Sequence, residues 1–469
     1  MSLTRALVLK LSQKEYNGIV GSLQKSEASK SIELIKHLRQ EKLELKEIQQ
    51  KLHLRNSAFY TLNSRLTERI EDYILQNSNN PRSQLVIKAA AVNDILLNQS
   101  KTVAIATLKK LEKELLAYDL NNELIQVYRA LKKLTTEDSR HFEYNKLFNQ
   151  QVTIMITMDK VEDNVADYFK RFTHKISNYN HEEDLSFDII KDELANNYNI
   201  YGSHRMYVYY MLVSVFHDIN AKNISQNDIE KTLYDVDKLF KNYQLDISYQ
   251  HIRWIFKYLR LLYYYSIDQN HKGIVPMLQN LEQYEHRLTS NSYLFTYIGF
   301  YFNIKLSKIY SGEITYTYES INNLEQVDSA QVNLSVYVLI RTQLAIYYYL
   351  ESKNEKAVEL LEELCRLPKL KKHTILYIET KLLKLIISFW SGDLVKVAKG
   401  VKGIQRLMRI EGREKFTYAH YLLDFINTVN SIDSAEAINK KQRAAALKFK
   451  ECAKPMYSPL FNIDLNTER

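Results

Sequence analysis

Between Gly21 and Gly202 the chain contains no glycine. Sheets and βαβ units reverse direction on glycine and proline, so a gap of that length favours helices joined by short polar turns. The whole chain is punctuated as sparsely, with 10 Gly and 5 Pro in 469 residues. Hydrophobic residues make up 45%, enough for a substantial core and too many for a chain disordered throughout. Length alone suggests about three ordinary domains, but this pattern predicts one continuous helical body with a small head.

Polar segments interrupt the apolar periodicity in a regular way. They are "LLNQSKT" near 98, "LTTEDSR" near 136, "SNYNHEED" near 180, "HDINAKN" near 220 and "SIDQNHKG" near 270. "YSGEIT" near 312, "ESKNEK" near 353, "WSGDLV" near 392 and "NSIDSAE" near 432 continue the series. The intervals run roughly 38 to 50 residues, the span of one helical hairpin and its connection. One hairpin cannot bury its apolar face alone, so several must stack. The expectation is an all-α fold, an α-solenoid of about eight hairpins over residues 83–454. A helical head precedes it at 1–80, and a tail follows at 455–469.

The stretch "LAIYYYLESKNEKAVELLEEL" (344–364) is the most regular of these segments. Leu344, Ala345, Tyr348, Ala357, Leu361 and Leu364 stand at spacings that resemble the tetratricopeptide repeat, and Pro368 lies near that family's terminating proline. The family's first-position tryptophan is replaced by Arg341. A weaker likeness occurs at "RLLYYYSIDQNHKGIVPML". The resemblance implies a tetratricopeptide-like superhelix in which Ala357 marks the closest helix crossing and Tyr348 fills the gap between hairpins. Tyr347 and Tyr349 then point to other faces, at about 100° per residue.

Residues 45–75, "LKEIQQKLHLRNSAFYTLNSRLTERIEDYIL", read differently. Leu45, Ile48, Leu52, Leu54, Ala58, Leu62 and Leu66 trace a short helix, a turn and a longer helix, with "QNSNNPR" (76–82) as a linker. The pattern resembles the helix-turn-helix of bacterial regulators, whose second helix enters a DNA major groove. Gln49 and His53 stand where that family usually has a small alanine and a turn glycine. The candidate DNA-contacting residues are Arg55, Asn56, Ser57, Asn63, Ser64 and Arg65. The competing reading makes the same segment the first hairpin of the stack.

Net charge is +9, concentrated in two regions. Residues 1–81 carry 13 Lys/Arg against 9 Asp/Glu, and residues 368–415 carry 12 against 4. Within "LVKVAKGVKGIQRLMRI" (394–410) there are five basic residues and no acid. On a helix Lys396, Lys399, Lys402, Arg406 and Arg409 fall within about 140° of one another, opposite Val397, Val401, Ile404 and Met408. That stripe is a candidate surface for an anionic partner, against the ordinary reading of a solvated face. The tyrosine clusters (Tyr207, Tyr209 and Tyr210; Tyr263–Tyr265; Tyr347–Tyr349) fit packing between repeats better than base stacking.

Enzyme signatures are missing: the chain has no phosphate-binding glycine loop, no G-x-S-x-G and no H-E-x-x-H. "HEEDLSFD" at 181–188 lacks metal-ligand spacing. Cys365 and Cys452 stand far apart, which argues against a disulfide framework or structural zinc and suits a reducing compartment. No signal-like start and no apolar run of about 20 residues is present. Taken together, these features predict a soluble cytoplasmic protein without cofactor, metal or membrane partner. The leading expectation is a non-enzymatic scaffold that binds a protein or peptide. The alternative is a helix-turn-helix transcriptional regulator with a repeat-type sensor, for which nucleic acid is the partner.

Overall fold

The computed structural model describes residues 3–11, 13–26, 28–39, 45–76, 80–178, 184–220, 226–282, 295–315, 318–327, 329, 332, 334–411, 416–428, 435–452, 458–460, 463 and 465. The fold is all-α, with no strand among these residues. None of its helices is long and apolar enough to cross a membrane, among the described residues. The chain divides into two compact units, Met1–Glu114 and Leu115–Arg469.

The first unit opens with α1 (Leu3–Lys10), α2 (Gln13–Lys25), α3 (Ser29–Arg39), α4 (Leu45–Lys51) and α5 (Asn56–Gln76). It continues through α6 (Pro81–Ala90), α7 (Val92–Asn98) and α8 (Lys101–Leu116), whose last turn crosses the division. α5 packs against α1, α2 and α3, while α4 lies on α3. Leu66 and Ile70 of α5 are buried with Ile48, Leu52, Val8, Ile19 and Leu34 in one core. Ala58, expected to face inward, is exposed, and its neighbour Phe59 is buried. Phe59, Leu62, Leu66 and Ile70 recur at three- and four-residue spacing, so the larger ring sets the inward stripe. α6 starts on Pro81, and the side chain of Asn80 caps it by accepting from Arg82 N at 3.0 Å.

The second unit runs through α9 (Asn121–Leu134), α10 (Arg140–Asn178), α11 (Asp184–Tyr201), α12 (His204–Asn220), α13 (Gln226–Asn242), α14 (Ile247–Ile267) and α15 (Ile274–Glu282). There follow α16 (Phe295–Tyr310), α17 (Tyr318–Glu325), α18 (Leu334–Leu350), α19 (Asn354–Arg366), a 3-10 turn (Leu370–Lys372), α20 (Thr374–Trp390), α21 (Leu394–Glu411), α22 (Thr417–Thr428) and α23 (Ala435–Glu451). Helices adjacent in sequence pack as hairpins: α9 with α10, α11 with α12, α13 with α14, α18 with α19, α20 with α21 and α22 with α23. Alternate helices form a second set of neighbours, so that α10, α12, α14, α16, α18 and α20 each lie against the next. A single hydrophobic core runs through this array from Met158 to Leu465.

Helix ends explain how so few glycines suffice. His53, Asp119, Gly312, Ser352 and Gly392 all have φ between 49° and 77°, the left-handed region. After each, the next backbone N–H returns to the carbonyl five residues earlier: Leu54 to Gln49, Leu120 to Leu115, Glu313 to Lys308, Lys353 to Tyr348 and Asp393 to Ser388. That bond satisfies a carbonyl the helix leaves open. Gly312 and Gly392 adopt this conformation without penalty; His53, Asp119 and Ser352 adopt it at a cost of about 1 to 2 kcal/mol each. Asp119 recovers some of this cost through its carboxylate, which accepts from Ser203 Oγ at 2.8 Å and Arg205 N at 3.2 Å at the start of α12. His204 completes the cluster. Its ring stacks on Tyr243 at 4.5 Å and its Nδ1 meets the Tyr249 hydroxyl. Burial pulls its pKa below the ordinary histidine value, against the pull of Asp119.

The three successive tyrosines of α18 go to three places. Tyr347 is fully buried. Tyr348 donates its hydroxyl to Glu325 of α17 and carries the ammonium of Lys356, on α19, 4.1 Å from its ring centre. Tyr349 stacks on Trp390 of α20 at 5.2 Å. Ala357 is fully buried, as are Leu344, Ala345, Leu361 and Leu364 within 2%.

α10 departs from a simple stack. Its 39 residues span about 58 Å at 1.5 Å per residue. It packs on α9, α11 and α12, and also on α16 and α20. Phe172 near its end stands 4.8 Å from Phe216 and 6.5 Å from Phe300. In an open solenoid each hairpin touches only its neighbours; here one long helix also reaches hairpins distant in sequence. The end of the chain joins the core as well. Ser458 and Leu460 are buried, and Asn303 Nδ2 donates to the Ser458 carbonyl at 2.8 Å.

Candidate functional site

In the head, α4 and α5 are joined by a tight turn that His53 closes in the left-handed conformation. Gln49 bridges it, donating from Nε2 to the Leu54 carbonyl at 3.0 Å and to Asn56 Oδ1 at 2.7 Å. The side chain that stands in place of a small alanine therefore ties the turn to the start of α5. Arg55, Asn56, Ser57, Ser64 and Arg65 are exposed, and so are Tyr60 and Thr61 between them. Asn63 is the exception among the candidate contacts: it is half-buried, and its Oδ1 is buried without a partner among the described residues. Acids on α5 occur only in its second half, as Glu68, Glu71 and Asp72. The first half thus offers hydroxyl, amide and guanidinium groups at a helix N-terminus, where the backbone dipole also favours an anion.

The second region is α21. Lys396, Lys399, Lys402, Arg406 and Arg409 are all exposed, and Val397, Val401, Ile404 and Met408 are buried on the other side. Lys396 pairs with Asp393 at 3.1 Å, and that carboxylate also accepts from Lys396 N. These contacts hold Asp393 below the usual carboxylate range. Lys399, Lys402, Arg406 and Arg409 form no ion pair with any described residue. The nearest acids in sequence, the side chain of Glu411 and the whole of Glu414, lie outside the described residues.

At its N-terminal end the stripe borders a cleft of about 340 Å³ between α19, α20 and α21. Glu362 and Cys365 of α19, Lys381, Lys384, Leu385 and Ser388 of α20, and Lys396, Lys399, Gly400, Gly403 and Ile404 of α21 line it. Glu362 is bridged by Lys384 at 2.9 Å, which keeps its pKa below the ordinary value. Of these residues, sequence reasoning singled out Lys396 and Lys399 as site candidates. Lys381 and Lys384 were visible as a pair three residues apart in the otherwise apolar "ETKLLKLIISF", but nothing in α20 alone links them to α21.

Tyr209, Tyr263, Tyr265, Tyr347 and Tyr348 are buried, as packing requires. His181 and the acids beside it at 182–183 lie outside the described residues. Compared with family models, with curated proteins and with solved structures, the chain matches none of them.

Proposed function

We propose that this chain is a DNA-binding regulator: the head docks on duplex DNA through α4 and α5, and the helical-hairpin unit carries the sensing role. The observation that carries this reading is the outer face of α5. Asn56, Ser57, Tyr60, Thr61, Ser64 and Arg65 are exposed together, and the acids of the helix are confined to the half beyond them. Uncharged amides and hydroxyls with arginine are the side chains that read base edges and phosphates, whereas carboxylates there would repel the backbone. Docking of this kind places the first half of the second helix in the groove and lets its end leave the duplex.

The test is fluorescence anisotropy of the full chain with a labelled mixed-sequence duplex over a salt series. Affinity should fall linearly with salt on logarithmic axes. Arg55→Ala with Arg65→Ala should weaken binding by about 1 to 3 kcal/mol for each arginine removed and reduce the salt slope by about one for each phosphate no longer neutralised. Absence of binding at low salt, or an unchanged curve for the double variant, contradicts the reading.

A second reading has its own observation, the four cations of α21 without an ion-pair partner among the described residues. It makes the hairpin unit a tetratricopeptide-like, non-enzymatic scaffold for an acidic protein or peptide, in the cytoplasm. Lys399→Glu with Lys402→Glu and Arg406→Glu should then abolish binding of polyglutamate while the helical circular dichroism stays the same. Equal binding after the reversal makes the stripe a solvated surface.

A further inference from the structure

We infer that the cleft between α19, α20 and α21 is a binding site for a small organic phosphate monoester, with the phosphate among the lysines and a compact apolar body on the floor. The site stands on the geometry of the hairpin unit, so its failure would leave the DNA reading of the head untouched.

The charges come first. Four lysines line the cleft against one carboxylate, Glu362. Two of the four are committed: Lys384 bridges Glu362 at 2.9 Å, and Lys396 holds Asp393 at 3.1 Å. Lys381 and Lys399 form no ion pair with a described residue. The Lys381 ammonium lies 4.7 Å from the ring centre of Tyr377, an arrangement that leaves its N–H groups available. Two ammonium groups without a carboxylate match the two negative charges of a phosphate monoester.

A third donor is built into the same wall. Ser388 is 2% exposed, and its hydroxyl has no hydrogen-bond partner among the described residues. A buried hydroxyl left unsatisfied destabilises the fold. Most helical serines avoid that by bonding back to the preceding turn. At a ligand site the cost is recovered when the ligand arrives. Lys381, Lys399 and Ser388 together supply one donor for each of three phosphate oxygens.

The floor decides what carries the phosphate. Leu385 and Ile404 are apolar, and burial pushes the Cys365 thiol up, so it stays neutral and adds no competing charge. Gly400 keeps α20 and α21 close, since a Cβ there would stand 2.7 Å from Leu385 Cδ1. A Cβ at Gly403 would meet nothing within 4 Å, so that residue leaves open space on the cleft side. A volume of about 340 Å³ lies at the small end of ligand pockets. It admits a ring or short chain with one phosphate, and excludes a folded partner.

The experiment is calorimetric titration of the full chain with phenyl phosphate, inorganic phosphate, benzoate and phenol. Phenyl phosphate should bind saturably, with inorganic phosphate and benzoate each at least about tenfold weaker and phenol not bound, because only the first satisfies both charge and floor. Lys381→Ala with Lys399→Ala should weaken it by more than about tenfold, and Ser388→Ala by about fivefold, the range expected when charged and neutral hydrogen bonds are removed. Gly403→Leu should fill the cleft and abolish binding while raising helix propensity, so a loss there is not a loss of fold. No saturable binding of phenyl phosphate up to on the order of 10 mM overturns the inference. So does equal or tighter binding of benzoate, and so does undiminished binding by the Lys381/Lys399 or Gly403 variants.

Discussion

The head and the hairpin unit bury their side chains differently. The head core is aliphatic apart from Phe59, with Val8, Ile19, Leu34, Ile48, Leu66 and Ile70, and no charged residue of this unit is buried among the described residues. The hairpin unit buries Tyr168, Tyr249, Tyr263, Tyr301 and Tyr347 almost completely, and with them Lys305, Lys308, Asp246 and Glu379. Lys305 and Lys308 are stabilised by ion pairs, to Glu282 at 3.1 Å and Glu313 at 2.7 Å. Glu379 has no ion pair among the described residues, and Tyr418 donates to it at 3.0 Å. Burial pushes its carboxyl up to about 7, against the pull of Ser458 and Tyr418. A purely apolar core is indifferent to pH, and a core holding an acid is not. The exteriors differ in the same spirit. α5 shows a mixed face of amides, hydroxyls and an arginine, and α21 shows five cations with Val395 and Ile410 exposed at its two ends.

The largest expected effect separates the two cores by pH. The ordinary glutamate value is 4.5 and the folded one about 7, so between those values the folded state binds more protons than the unfolded chain. Stability from this group is full below pH 4.5, falls as pH rises towards 7, and is lost above it. The shift corresponds to about 3 kcal/mol. Glu379→Gln should therefore stabilise the protein at pH 8 by about that amount relative to pH 4.5, read from denaturant melts at the two values. A variant whose gain is the same at both would show that Glu379 is not the titrating group.

Packing comes next. Ala357 is fully buried, and Ala357→Leu should cost about 1 to 3 kcal/mol by overpacking. An unchanged melting temperature would mean that α18 and α19 have room there. Smaller again are the helix ends, where both units use the same device. His53→Gly in the head and Ser352→Gly in the hairpin unit should each raise stability by up to about 1 kcal/mol, because glycine adopts positive φ without strain. A loss at His53 would show that the imidazole itself holds the turn. Gly403→Ala should gain about 0.5 to 1 kcal/mol, since its Cβ meets nothing within 4 Å. At Gly400 the clash with Leu385 offsets the same gain, so the two glycines of α21 should differ in thermal melts.

Much of this was legible because it is local. The breaks expected near 98, 136, 220, 270, 312, 353 and 392 fall at the ends of α7, α9, α12, α14, α16, α18 and α20; those near 180 and 432 coincide with residues outside the described ones. Polar side chains and turn residues mark a helix end from within a few positions. The same locality exposed the stripe on α21, since a period of about 3.6 residues is enough to place its two faces. What was not legible is non-local. Nothing in "DKVEDNVADYFKRF" says that α10 reaches α16 and α20, and nothing in α20 says that Lys381 will share a wall with Lys399. The turn between α4 and α5 was expected from the apolar spacing, but the way it closes was hidden for another reason. A missing glycine and a missing small alanine weaken the resemblance, but histidine takes the left-handed conformation here and Gln49 bridges across it.

On the proposed function, α5 reads DNA. The direct measurement is enrichment of bound sequences from a randomised duplex pool by the full chain, repeated with Arg65→Ala and with Asn56→Ala. The unchanged protein should enrich one defined half-site. Each variant should relax the preference at its own base position, by about 1 to 3 kcal/mol of discrimination, and leave the other positions selective. Enrichment of no sequence at all, or of the same motif with the same stringency by all three proteins, would contradict it.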